Sequence, residues 1–106
     1  MKSVWIACGI MALASSGVLA SETAAGKAKA KTCETCHGPG GTKSVSPDIP
    51  RLAGQHYDYL VKALSDYKSG VRKNPIMAPQ AANLSRRDIE DLAHYFSEQH
   101  GLYVKY

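Results

Sequence analysis

The stretch Cys33-Glu34-Thr35-Cys36-His37-Gly38 constrains this chain more than any other. Two cysteines separated by two residues, with a histidine directly after the second, form the attachment signature of a c-type haem. The chemistry explains the order. Each thiol adds across one vinyl group of a porphyrin, and the two-residue spacer sets both sulfurs against one edge of the ring. The adjoining imidazole is then held beneath the iron as an axial ligand. A bare CxxC would leave zinc, a redox disulfide or chance open. The histidine narrows the expectation to one haem c, bound through Cys33 and Cys36, with His37 on the iron.

The first twenty residues have the pattern of a secretory leader. Lys2 supplies the positive start, residues 4–14 are apolar apart from Gly9, and Val18 and Ala20 occupy the positions where a signal peptidase needs small side chains. Cleavage after Ala20 is expected, leaving residues 21–106 as one domain in the periplasm. The apolar run is short and broken by Ser15-Ser16-Gly17, so no stable membrane insertion is expected after cleavage. Cys8 lies inside that run behind bulky Trp5 and Ile6, which argues against lipid attachment. A domain this small has a marginal core and leans on a cofactor. Cys33 and Cys36 are then the only cysteines left, which accounts for the missing disulfides in an oxidising compartment. The 13 basic against 9 acidic residues make too weak an excess to point to nucleic acid. Lys27, Lys29 and Lys31 read either as a docking face for an acidic redox partner or as a plain solvated helix face.

Along the chain, residues 21–35 are rich in alanine and lysine without proline, a helix running into the first cysteine with Ser21 or Thr23 as its cap. Gly26 is out of place there: either a tolerated defect or a point of close approach. Residues 38–50, with three glycines and with Pro39, Pro47 and Pro50, read as a loop able to wrap one face of a ring. A proline carbonyl near its end is placed to accept the Nδ1–H of His37. Residues 55–70 form a helix whose stripe is Tyr57, Leu60, Val61, Leu64 and Tyr67, closed by Gly70. Residues 71–83, with Pro75 and Pro79 on either side of Met77, read as a second loop. Ser85, with Asp88 three residues on, caps a last helix whose inner face is Ile89, Leu92, Ala93 and Phe96. No strand is expected.

Once the leader is removed, Met77 is the sole methionine, in a proline-bracketed segment between two amphipathic helices. A lone methionine is often only a gap-filler. Its placement instead suits a thioether ligand opposite His37, which favours reduced iron. His56, His94 and His100 are read as surface or hydrogen-bonding residues rather than ligands. With both axial positions filled, no open site remains for a substrate, and no catalytic constellation is found elsewhere, so no enzyme activity is expected.

Together, Cys33-x-x-Cys36-His37-Gly38, Pro50-Arg51-Leu52-Ala53-Gly54-Gln55, Tyr59-Leu60, Tyr67-x-x-Gly70-x-Arg72, Met77 and the run from Leu84-Ser85 to Tyr95-Phe96 resemble the class I cytochromes c, of the single-haem c553 type or one domain of the dihaem c4 type. The resemblance covers about residues 26–96. It implies an all-α cytochrome c fold of three main helices plus loops wrapped around one covalently bound haem. It also implies thioether bonds at Cys33 and Cys36, iron ligands His37 and Met77, a Pro50 carbonyl bonded to His37, and Leu52 supporting a haem face. The first helix would pack on the last, with Gly26 meeting Tyr95 and Phe96. A single CxxCH departs from the dihaem pattern, and residues 101–106 have no counterpart. The function implied is a one-electron carrier between redox partners, with transfer at a haem edge bordered by residues 38–41 and the Met77 segment. Alternatives are an electron-accepting subunit of a periplasmic dehydrogenase and, remotely, a CxxC thiol-redox or zinc module, which lacks a βαβ context or a second ligand pair.

Overall fold

The computed structural model describes residues 24–101, together with the isolated positions 3 and 9. The leader assigned to residues 1–20, the capping roles of Ser21 and Thr23, and the tail from residue 102 lie outside the described residues. Within them the chain is all-helical, without strands. Residues 24–29 form α1, followed by α2 (Lys31–His37), a 3-10 turn at Pro39–Gly41, α3 (Tyr57–Ser69), α4 (Met77–Ala82) and α5 (Arg86–Ser97).

Helices α1 and α2 are one bent helix. The backbone bonds from Ala30 N to Gly26 O (2.8 Å) and from Glu34 N to Ala30 O (2.9 Å) carry the helical ladder past the bend at Ala30. This helix runs two residues beyond the expected end at Thr35, and so takes in Cys36 and His37. It stops at Gly38, whose φ of 83° is in the left-handed region that a side chain would strain. The first helix does pack on the last, through Gly26. A Cβ added there would meet the Asp91 carbonyl and sit 2.8 Å from the Tyr95 Cβ, so only glycine lets the backbones approach this closely. Asp91 and Tyr95 make that contact, rather than the expected Tyr95 and Phe96. Lys29 closes the same seam, donating to Asp91 Oδ2 at 2.6 Å and pairing with Asp88 Oδ1 at 2.9 Å. Those two bonds hold its ammonium above the ordinary lysine range.

Helix α3 begins at Tyr57, not Gln55, because His56 is extended and serves as the N-cap. Gly70 ends it in the left-handed conformation. Helix α5 is set by its own sequence. Ser85 Oγ accepts from Asp88 N (3.0 Å) while Asp88 Oδ2 accepts from Ser85 N (2.9 Å), a complete capping box. Its inner face meets α3, which also packs on α4. The core unites Ala30, Leu60, Leu92, Ala93, Tyr95 and Phe96, with Cys33, Leu52, Tyr57, Val61, Leu64 and Leu84 packed around it. Each large apolar side chain buried here contributes about 1.5–3 kcal/mol.

The segment 71–83 departs from the expected loop, since Met77 opens a six-residue helix. Asn74 Oδ1 accepts from both Ile76 N (2.9 Å) and Met77 N (3.0 Å) and so starts the turn. Pro79 falls within the first turn, where a missing N–H removes no helical bond.

Candidate haem site

Cys33, Cys36 and His37 stand at i, i+3 and i+4 of α2, the spacing that puts three side chains on one helix face. Both cysteines are partly buried. His37 is only 6% exposed. Its Nδ1 lies 2.7 Å from the Pro50 carbonyl oxygen. A carbonyl only accepts, so the proton sits on Nδ1, and the neutral ring keeps a lone pair on Nε2 for a metal. The loop that returns Pro50 is pinned by Val45 N to Cys36 O (3.0 Å) and by Leu52 N and Ala53 N to Gly41 O (2.9 and 3.1 Å).

A cavity of about 340 Å³ opens between α2, α3, α4 and α5. Cys33, Leu64, Met77, Leu84 and Leu92 make most of its apolar wall, and Lys29, Thr32, Gln80 and Asn83 give it a polar side. The structure thus brings Cys33 and Met77 to one cavity. His37 lies on the same face of α2 as Cys33, bonded to Pro50. Leu52 packs on the core beside Gly41. A larger cleft of about 470 Å³, lined by Val61, Ser65, Lys68, Ser69, Arg86 and Ile89, contains none of the expected ligands. Among the described residues no group of three or more His, Cys, Asp or Glu is arranged to hold a metal ion, which removes support from a zinc module.

Residues 23–99 match the family model described as Cytochrome c. The chain belongs to the cytochrome c family. Cytochrome c4 of Pseudomonas aeruginosa is 41% identical over 99 residues, covering 93% of this chain and 47% of that protein. Cytochrome c-553 of Helicobacter pylori is 39% identical over 95 residues, covering 90% of this chain and 95% of that protein. The solved cytochrome c4 of Acidithiobacillus ferrooxidans superposes with a TM-score of 0.67 at 32% identity, over 74% of this chain and 49% of that one. The chain thus spans about half the length of the cytochrome c4 relatives and nearly all of the c-553 protein.

The cofactor of this cytochrome c is covalently bound haem c, and the site fits such a group. The cavity is mostly apolar and lies in the ~300–1,000 Å³ range of small-molecule and cofactor clefts. Cys33 lines it from one wall and Met77 from another, and the His37 tautomer leaves Nε2 able to ligate. One expectation about the lysines changes. Lys29 is tied to Asp88 and Asp91, so it is not part of a free lysine face; Lys27 and Lys31 are exposed. Residues 38, 40 and 41 are buried, Gly41 against Leu52 and Phe96. Two further contacts carry no sequence signal: Glu34 Oε1 accepts from Tyr95 Oη at 2.9 Å, and the His94 ring lies tilted by 33° against Tyr57 with centroids 4.4 Å apart. Nothing in the local pattern marks either pair, because both join residues far apart in the chain.

Proposed function

We propose that this chain is an exported single-haem cytochrome c, with residues 1–20 as a cleaved leader and residues 21–106 as one periplasmic domain that carries single electrons between redox partners. Cys33 and Cys36 would hold the porphyrin as thioethers, His37 Nε2 and Met77 Sδ would ligate its iron, and Pro50 and Leu52 would support the histidine side. When bound, haem supplies a one-electron couple at its iron. The residues set its character: the Pro50 carbonyl orients His37 and raises its basicity, the thioether of Met77 favours the reduced state, and Leu64, Leu84 and Leu92 limit water. With His37 and Met77 both given to the iron, no coordination site would be left for a substrate, and the protein is a carrier rather than an enzyme. The observation that carries this reading is the His37 Nδ1–Pro50 bond, which takes up the Nδ1 proton and leaves the lone pair of Nε2 to ligate.

The partner chemistry follows from the segment that leads into Met77 and on to α5. From Tyr67 to Arg87 it contains Lys68, Arg72, Lys73, Arg86 and Arg87 and no acidic residue, with Arg86 paired to Glu90 and Arg87 to Asp91 just beyond it. Val71 and Ile76 are 75% and 65% exposed within it. An apolar spot among cations beside one axial ligand suits an acidic redox protein.

The test is a visible spectrum and an intact mass of the exported protein. We expect sharp reduced-state bands of low-spin haem and a mass one haem above that of the cleaved polypeptide. Met77→Ala should remove the weak far-red band of a thioether–iron bond. A mass equal to the bare polypeptide, or a far-red band that survives in Met77→Ala, defeats the corresponding assignment.

A further inference from the structure

Glu34, between the two cysteines, is not one of the residues that the attachment chemistry uses. It is nevertheless tethered. Its Oε1 accepts from the Tyr95 hydroxyl at 2.9 Å across 61 residues of sequence. Tyr95 is 7% exposed, and its ring meets Phe96 edge-on with centroids 5.1 Å apart. Its backbone carbonyl accepts from Gln99 Nε2 at 2.9 Å, and its Cβ faces the notch at Gly26. The phenol therefore projects from a fixed platform. Burial, reinforced by the bond to Glu34, pushes its ionisation up, so it stays a donor.

At the other end, Glu34 sits mid-helix, with its N–H bonded to Ala30 O and its carbonyl to Gly38 N, each at 2.9 Å. In an α-helix it lies about 100° round from Cys33 and about 60° beyond His37. A pull at that angle fixes the rotation of α2 about its own axis. The bond from His37 to Pro50 fixes only the end of the helix. Rotation of α2 is what sets where both sulfurs and the imidazole point.

We infer that Tyr95 is a positioning residue for the haem-attachment helix, acting through the Glu34 carboxylate to hold Cys33, Cys36 and His37 toward the porphyrin. This rests on the assignment of those three residues above. A misaimed pair of thiols attaches haem less completely, and a misaimed imidazole changes the iron's potential.

The experiment uses the full chain, expressed with haem attachment, comparing wild type, Tyr95→Phe, Glu34→Gln, Glu34→Ala and the double variant Tyr95→Phe/Glu34→Ala. Phenylalanine keeps the ring against Gly26 and Phe96 and removes only the donor. Covalently attached haem per polypeptide and the midpoint potential are measured beside melting. Tyr95→Phe should lower attachment at least twofold and displace the potential. Glu34→Gln, whose amide oxygen accepts the same bond, should keep attachment near the wild-type level. In the Glu34→Ala background, adding Tyr95→Phe should change neither quantity. If the tyrosine effect persists there, or if Tyr95→Phe alters only the melting temperature, the inference is overturned while the proposed function stands. A wild-type chain without haem overturns both.

Discussion

A missing side chain at position 26 lets the first helix meet the last. Gly26→Ala would gain roughly 0.8–1.0 kcal/mol of helix propensity. Its new Cβ would press on the Asp91 carbonyl and lie 2.8 Å from the Tyr95 Cβ, a backbone-limited clash of the kind that costs about 1–3 kcal/mol. The clash outweighs the propensity. Chemical denaturation of the holoprotein should therefore show Gly26→Ala less stable by up to about 2 kcal/mol, and a variant as stable as the parent would show that the seam yields. At this scale much was legible. Gly26 stood out in an alanine-rich helix, and the CxxCH order pointed to Cys33, Cys36 and His37. Glu34 and Lys29 were not legible, because their partners are decided by tertiary folding: the Tyr95 hydroxyl for Glu34, and Asp88 and Asp91 for Lys29.

Among the elements, α5 owes most to its own sequence. The Ser85–Asp88 box closes both backbone ends of its first turn, and Ser85→Ala should cost about 1 kcal/mol. The same box gives a pH dependence. The backbone bond from Ser85, reinforced by Lys29, lowers Asp88 from 3.8 to about 2. A carboxyl held below its unfolded value contributes fully above pH 3.8 and loses that contribution as pH falls through about 2. Denaturation at pH 5, 3 and 2 should show the gap between wild type and Asp88→Asn closing toward the lowest pH; a constant gap contradicts the assignment. Periodicity found α3 and α5 because each has a capping signal and a wide apolar face. It missed α4, where the two prolines looked like breakers. Pro75 precedes the helix and Pro79 falls in its first turn, so neither interrupts a helical bond, while Asn74 starts the turn.

For the whole molecule, the proposed docking of an acidic redox protein on the cations between Tyr67 and Arg87 and the exposed Val71 and Ile76 predicts salt-sensitive electron transfer. The second-order rate should fall as ionic strength rises. Lys73→Glu should slow it about tenfold at low salt while leaving the visible spectrum unchanged; a rate indifferent to both places the contact elsewhere. The overall architecture was legible because the helices, the capping signals and CxxCH all agree. The burial of Gly38, Gly40 and Gly41 was not, since glycine-rich sequence does not say which side of a loop faces inward. The pairing of Glu34 with Tyr95, 61 positions later, also orders events in time. A chain made from its N-terminus exposes both sulfurs long before the residue that clasps their helix has been synthesised. The orientation of that helix is therefore completed only when the last helix closes on it.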